Sequence, residues 1–304
     1  MQAPTIDIAR PDHTIFVRVW RPDATPKAVV QVVHGLGEHS ARYARFAQAL
    51  AGAGYAVYAH DHRGHGERCP PADLGFFAQS GGWRKLLDDI DAVAQRASAD
   101  FPGLRRVFFG HSMGSFLGQT YIAEHGSELA AAILSGTSGP PPAILPIGRR
   151  VVAFERWRLG PRAKSGIVQA LLLGEQNKSF RPARTPADWL SRDNAEVDAY
   201  MADPLCGFPV TNQLAADLVG ALSDLASPAL AARIPKSLPI YVVSGSADPV
   251  GAKIQGLLDV YRAAGLDVTA RIYKDGRHEM LNETNRDEVT RDLIGWLDGR
   301  LLAR

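Results

Sequence analysis

The chain has 304 residues, 46% of them hydrophobic and 22% charged, so it is long enough to bury one large core and to hold one inserted subdomain. Its net charge of +2 gives no electrostatic reason to expect a nucleic-acid partner. The two cysteines form neither a disulfide framework nor a metal-ligand spacing. No apolar run approaches the ~20 residues that cross a bilayer, and the N-terminus from Met1 lacks a secretory pattern. We therefore expect a soluble, cytoplasmic protein.

Strand and helix patterns alternate over the first part of the chain. In the first strand pattern apolar and polar residues alternate loosely, which favours a strand that is antiparallel to its neighbours. The second is a continuous apolar run, typical of a strand buried on both faces of a parallel sheet. The strand patterns cover residues 15–21, 28–34, 55–60, 107–109 and 130–135. The helical patterns between them cover residues 43–50, 83–97 and 116–122.

After the fifth strand pattern the alternation stops, and it resumes about a hundred residues later. The later strand patterns cover residues 240–244 and 268–273, with helical patterns at 252–263 and near the C-terminus. We predict Thr284 to be the N-cap of that last helix, because Asp287 follows three residues later. This order predicts a doubly wound, mostly parallel sheet with an inserted helical segment. We therefore predict a core in residues 1–138 and 234–304 and a helical cap in residues 139–233.

The segment from Val107 to Gly114 reads Val-Phe-Phe-Gly-His-Ser-Met-Gly, an apolar strand that runs into Gly-x-Ser-x-Gly and then into a helix. This order is the context of a nucleophile elbow, whose sharp turn exposes the serine hydroxyl. Gly110 and Gly114 carry no side chain that would clash around a strained Ser112. Because the bare motif also arises by chance, the interpretation of Ser112 as a nucleophile depends on its partners.

A serine nucleophile needs a base and an acid, and in hydrolases with this elbow the chain order is serine, acid, base. Asp248 lies in the loop after a predicted strand. It could be a turn aspartate before Pro249, but its position at a strand end downstream of Ser112 favours the acid. His278 is the only histidine after Asp248 and also follows a predicted strand, so the order leaves it as the base.

The developing oxyanion needs hydrogen-bond donors. One should be the backbone N–H of Met113, directly after the nucleophile, and the second should lie in the loop after the strand at 28–34. In that loop we select the N–H of Leu36, because the glycines on both sides of it let the backbone turn inward. The alternative is a flexible glycine loop that binds nothing.

A family resemblance becomes specific at this loop. Residues 34–43, His-Gly-Leu-Gly-Glu-His-Ser-Ala-Arg-Tyr, resemble the oxyanion-loop signature of the monoacylglycerol lipase and lysophospholipase group of α/β-hydrolases. The elbow resembles that of the same group, and further similar segments lie at residues 61–66, 191–193 and 203–205. The resemblance spans most of the chain.

The resemblance implies the α/β-hydrolase fold, a triad of Ser112, Asp248 and His278, and oxyanion donation by the amides of Leu36 and Met113. Two positions depart from the family pattern: Ser115 replaces a second glycine after the elbow, and the pair at 67–68, Glu-Arg, stands where the family usually has a serine. Ser115 could tighten the packing of the helix or add a hydroxyl near the site.

Other polar residues near these motifs have simpler explanations. His62 and His65 could suggest a metal, but no cysteine or carboxylate nearby completes a convincing ligand set, so we expect no metal and no cofactor. Glu38, His39 and Arg42 are expected to brace the oxyanion loop.

The start of the cap is both apolar and basic. Ile147, Val151 and Phe154 share one helical face, and arginines crowd the same stretch. Such a helix could lie on an anionic membrane surface, or its apolar face could pack on the core while the arginines are solvated.

The sequence therefore predicts a serine hydrolase that cleaves a small-molecule ester or lipid through an acyl-enzyme, with monoacylglycerols or lysophospholipids favoured by resemblance. A thioesterase or aminopeptidase would use the same triad. A non-catalytic acyl-binding protein would more naturally lack one of its members. Haloalkane and epoxide hydrolysis would need an aspartate in place of Ser112.

Overall fold

The structure, a computed structural model, describes residues 3–301, and at residue 173 it describes the backbone alone. The predicted core ranges 1–138 and 234–304, and the expectation about the N-terminus from Met1, therefore extend beyond the described residues.

Eight strands, numbered β1 to β8 in chain order, form one sheet in the described part of the chain. Their bounds are Thr5–Ala9, Thr14–Trp20, Ala28–Val33, Tyr55–His60, Arg106–His111, Leu129–Ser135, Ile240–Gly245 and Val268–Tyr273. Across the sheet the order is β1-β2-β4-β3-β5-β6-β7-β8. β2 is antiparallel to both of its neighbours, and the strands from β4 to β8 are parallel. The predicted mostly parallel sheet is confirmed.

Helices cover both faces of this sheet. Those of the described residues, α1 to α10 in chain order, are Ala44–Gly52, Gly82–Asp100, Met113–His125, Leu145–Leu159, Gly166–Leu173, Asn194–Ala202, Asn212–Ala221, Pro228–Ala231, Ile254–Ala263 and Arg286–Leu301. Apolar residues of α1 and α10 pack on one face of the sheet, and those of α2, α3 and α9 pack on the other. The sheet is thus doubly wound, with its apolar strands buried between two helical layers.

Two details differ from the sequence-based expectation. β1 was not predicted, because its residues are at most half-buried and its place depends on pairing with β2 at the sheet edge. The last helix begins at Arg286, so Thr284 is not its N-cap. The Thr284 hydroxyl instead lies 3.4 Å from the carboxylate of Glu283.

Between β6 and β7 the described chain forms α4 to α8 and no strand. Within this segment α4 packs against α7, which also packs against α2 of the core. The division into a core and a cap at residues 139–233 stays a prediction. None of the described helices combines the length and the apolar character that crossing a membrane requires.

Candidate active site

Ser112 lies at the sharp turn between β5 and α3. Its backbone angles, φ 50° and ψ −121°, are in a region that side-chain-bearing residues rarely adopt. A Cβ on Gly114 would lie 2.1 Å from the carbonyl oxygen of Val33, and one on Gly110 would lie 2.4 Å from that of Gly114. Both positions therefore need glycine. The Ser115 hydroxyl donates to the Ser112 carbonyl at 2.6 Å, so this departure from the family pattern braces the turn.

Asp248 and His278 meet in the loops that follow β7 and β8. The His278 Nδ1 lies 3.0 Å from Asp248 Oδ1, and the two residues are only 1% and 4% exposed. The Asp248 carboxylate also accepts from the Val250 amide at 2.9 Å and from the Ser244 hydroxyl at 3.1 Å. Because an ionised carboxylate only accepts, Nδ1 carries the hydrogen and Nε2 is left as an acceptor.

Each residue of this pair stabilises the charged form of the other. Burial opposes ionisation of Asp248, but the adjacent imidazole and the backbone amides hold the pKa of Asp248 below its ordinary value. Burial likewise opposes protonation of His278, but the Asp248 carboxylate raises the pKa of His278 above its ordinary value. An imidazolium at this position is therefore stabilised by its partner.

The second ring nitrogen of His278, Nε2, is not the one that contacts Asp248. Among the described residues, His278 Nε2 is buried and has no hydrogen-bond partner, and Ser112 Oγ makes no hydrogen bond. Both residues line one cavity. The structure thus brings all three predicted triad residues to the same edge of the sheet, although they are far apart in sequence.

The predicted oxyanion donors line this cavity as well. A Cβ on Gly35 would lie 3.0 Å from the Cβ of Ser112, so the loop that carries Leu36 passes close beside the elbow. Within residues 3–301, the amides of Leu36 and Met113 donate to no other protein group. Both N–H groups are therefore available to a ligand.

Glu38 holds the oxyanion loop in this position. Its Oε1 accepts from the Gly35 amide at 2.6 Å and from the Tyr43 hydroxyl at 2.8 Å. Its other oxygen accepts from Arg42 at 2.9 Å, and Arg42 also donates both of its terminal nitrogens to Glu279. This network links the oxyanion loop to the residue next to His278.

Sequence reasoning missed the role of Glu279. Burial alone would raise its pKa, but Arg42 lowers the pKa of Glu279 to about 2, so it carries a permanent negative charge beside the imidazole. Its position directly after a predicted catalytic histidine was the only signal available. The pairing with Arg42 spans 237 residues and could not be read from the chain.

His62 and His65 stabilise the neighbouring loops. The His62 amide donates to His34 Nε2 at 3.0 Å, and the Gly37 amide donates to His65 Nε2 at 3.1 Å. Burial lowers the pKa of the two accepting imidazoles, His34 and His65, that of His65 to about 4, so both are neutral at pH 7 and can accept these bonds.

The cavity that Ser112 faces has a volume of about 750 Å³, within the usual range of small-molecule sites. Its walls come both from the segment between β6 and β7 and from other parts of the chain. They are largely apolar, including Leu36, Phe116, Leu172, Trp189, Leu190, Phe208, Val210, Leu218, Leu222 and Val250. The segment between β6 and β7 also fixes the histidine loop, because the Trp189 and Leu190 carbonyls accept from the amides of His278 and Glu279 at 3.3 and 2.8 Å.

Comparison with known proteins agrees with this geometry. The family model described as serine aminopeptidase, S33, matches residues 24–285. A monoacylglycerol lipase of Mycolicibacterium smegmatis is 32% identical over 298 residues, which cover 94% of each chain. The human monoglyceride lipase is 31% identical and covers 92% of this chain and 84% of its own length. Among solved structures, a thermostable carboxyl esterase from Bacillus coagulans in complex with glycerol superposes with a TM-score of 0.91 at 29% identity, covering 99% of both chains.

Proposed function

The chain belongs to the α/β-hydrolase family described as serine aminopeptidase, S33, and from this membership we propose that it is a serine hydrolase of the monoacylglycerol lipase type, cleaving carboxylic esters through an acyl-enzyme. One observation carries the proposal. Within the described part of the chain, the imidazole of His278 is bound through Nδ1 to a buried carboxylate and has no partner at Nε2, and it lines the same cavity as Ser112.

In the proposed first half-reaction, Ser112 Oγ attacks the ester carbonyl while His278 Nε2 takes the hydroxyl proton. The positive charge that forms on the imidazole is stabilised by Asp248. The negative charge on the carbonyl oxygen is stabilised by the amides of Leu36 and Met113. When the tetrahedral intermediate collapses, His278 returns the proton to the leaving alcohol.

The second half-reaction repeats these steps with water as the nucleophile. His278 Nε2 takes a proton from the water, the hydroxide adds to the acyl carbonyl, and the same two amides hold the oxyanion. Collapse of this intermediate returns the proton to Ser112 Oγ and releases the carboxylic acid. The residues Ser112, Asp248 and His278 thereby end in their starting protonation states.

The cavity walls support an ester with an apolar acyl chain over an aminopeptidase substrate. An aminopeptidase must bind the positively charged N-terminus of a peptide, for which an available carboxylate is the natural partner. The acidic side chains in the cavity wall, Glu38 and Glu279, are both engaged by Arg42. The apolar wall instead suits the acyl chain of a monoacylglycerol.

Hydrolysis of a panel of compounds tests the substrate class. We expect monoacylglycerols and p-nitrophenyl esters of medium or long chains to be hydrolysed with higher kcat/KM than acetyl esters, because each additional buried methylene contributes about 0.8 kcal/mol. Lysophospholipids, thioesters and aminoacyl amides complete the panel. A preference for aminoacyl amides would contradict the ester assignment. Failure of the wild-type protein to react with a fluorophosphonate probe would favour the acyl-binding alternative.

We also propose that the cap contacts anionic membranes through α4. The helix packs inward through Val152, whereas Ile147, Phe154 and Trp157 are exposed, Trp157 by 78%. Ile147 and Phe154 of the predicted apolar face therefore do not pack on the core, and Val152 packs on apolar residues of α5 and α7. Exposed arginines lie beside these side chains at positions 149, 150, 156 and 158, which suits a surface of anionic lipid.

Phe154→Ser together with Trp157→Ser should weaken binding to anionic phospholipid vesicles at low salt by at least about tenfold, because burying each large apolar side chain is worth about 1.5–3 kcal/mol. Vesicle co-sedimentation measures this. Ile272→Ser, which removes an exposed apolar side chain on β8, is the matched control and should bind like the wild type. If wild-type protein does not bind anionic vesicles at low salt, the membrane contact is wrong.

A further inference from the structure

Three side chains of types that commonly bind metal ions, a histidine, an aspartate and a cysteine, lie close together where the oxyanion loop contacts the cap. His39, Asp203 and Cys206 each offer one donor atom, and these atoms lie within 4.8 Å of one another. His39 Nε2 already lies 2.9 Å from Asp203 Oδ2. Imidazole nitrogen, carboxylate oxygen and thiolate sulfur are the donor atoms that bind Zn²⁺ in proteins. Zn²⁺ sites with three protein ligands and an open fourth position are common.

The backbone positions the two cap residues before any ion binds. The Leu205 amide donates to Asp203 Oδ1 at 2.8 Å, which leaves Oδ2 turned toward His39. The Cys206 amide donates to the Asp203 carbonyl at 3.0 Å, so a tight turn holds both side chains on one side. His39 and Cys206 are 7% and 8% exposed, and Cys206 lines the cavity that Ser112 also lines, which gives an ion a path in and room for a water as fourth ligand.

Charged side chains of both signs surround the thiol. Asp203, Glu38 and Glu279 are acidic, and the guanidinium of Arg42 is already bonded to Glu38 and Glu279. The second cysteine of the chain, Cys69, lies in no such ligand group among the described residues.

We propose that His39, Asp203 and Cys206 form a site for one thiophilic divalent cation of the Zn²⁺ type, which joins the cap to the oxyanion loop. Binding forms an S–metal bond in place of the S–H bond of Cys206, the proton passes to solvent, and the hydrogen bond between His39 and Asp203 is replaced by two metal–ligand bonds. The site was not expected from the sequence, where His39 and Asp203 are 164 residues apart.

The bound ion would tighten an existing junction. The Gly207 amide and the Tyr200 hydroxyl, both from the cap, already donate to the Gly37 carbonyl at 2.9 and 3.1 Å. Gly37 adjoins Leu36, so the ion would restrain the loop that carries a proposed oxyanion donor. Because the ion binds the folded junction and not the unfolded chain, it should raise the Tm. This effect on stability does not depend on the proposed hydrolysis.

Cobalt provides a spectroscopic test with the full chain. Adding Co²⁺ to the wild-type protein should produce one thiolate-to-cobalt charge-transfer band per chain in the near-ultraviolet, and Zn²⁺ should remove the band by displacement. Cys206→Ser should abolish the band and weaken Zn²⁺ binding by at least about tenfold. Cys69→Ser, the matched control, should keep both. Zn²⁺ should raise the Tm of the wild type and of Cys69→Ser but not that of Cys206→Ser.

Asp203→Asn keeps the thiol and a hydrogen-bond acceptor, so it provides a second test should Cys206→Ser fail to fold. It should retain the charge-transfer band while binding Zn²⁺ at least about tenfold more weakly. Absence of the band in wild-type protein with excess Co²⁺, or a band that disappears in Cys69→Ser and persists in Cys206→Ser, would overturn the proposal. Neither readout requires turnover, so loss of the ester hydrolase assignment would leave this result interpretable.

Discussion

Ser112→Ala is expected to lower kcat for ester hydrolysis by about 10⁵–10⁶-fold, because it removes the proposed nucleophile and leaves only binding and oxyanion stabilisation. The expected effect on stability is small. The Ser112 hydroxyl makes no hydrogen bond among the described residues, so its removal leaves no buried partner unsatisfied. Hydrolysis of a p-nitrophenyl ester, measured together with the Tm, separates loss of chemistry from loss of folding.

Fluorophosphonate labelling and a matched control complete this test. The wild-type protein should be labelled once per chain and Ser112→Ala should not be labelled. Ser98→Ala removes a hydroxyl that bonds only within α2, and it should keep both labelling and turnover. Residual activity of Ser112→Ala above about a hundredth of the wild-type value, in protein shown to be free of contaminating esterase, would contradict the assigned nucleophile.

Asp248→Asn should lower kcat by about 10⁴-fold while leaving the protein folded. An asparagine can donate its amide hydrogen to His278 Nδ1, which then becomes an acceptor and places the ring hydrogen on Nε2. In that tautomer the imidazole cannot accept the proton of Ser112. The variant keeps the size of the side chain, so the loss reports the charge and the tautomer and not a cavity.

The pH dependence of the remaining activity gives the same variant a second readout. In the wild type, kcat/KM should fall as the pH drops through the pKa of His278, which lies above the ordinary histidine value because of the Asp248 charge. Removing that charge lowers the pKa of His278, so the acid limb of Asp248→Asn should move to lower pH. Asp259→Asn, an exposed change on α9, is the control and should leave both kcat and the acid limb unchanged. An acid limb that moves to higher pH would count against the assigned pair.

The strands of the sheet interior were predictable because each is buried on both faces. β3, β4 and β7 are mostly apolar and fully buried, and the predicted bounds differ from the observed ones by at most one residue. β1 was missed because an edge strand with half-buried residues owes its conformation to its neighbour. Helix α4 was predicted as a helix, but the sequence left open whether its apolar face is exposed or packed, since that depends on which side of the helix α7 covers.

The sequence by itself determined the fold class, because buried strands need apolar runs. It also determined the candidates Ser112, Asp248 and His278, because parallel strands place the loops at their carboxyl ends along one edge of the sheet. It could not determine which distant side chains surround those candidates. The bond from Arg42 to Glu279 joins the oxyanion loop to the histidine loop. The bonds of the Trp189 and Leu190 carbonyls to the histidine loop, and the group formed by His39, Asp203 and Cys206, arise where the segment between β6 and β7 packs on the rest of the chain. Such contacts join residues whose separation along the chain carries no periodic signal, so only the tertiary structure decides them.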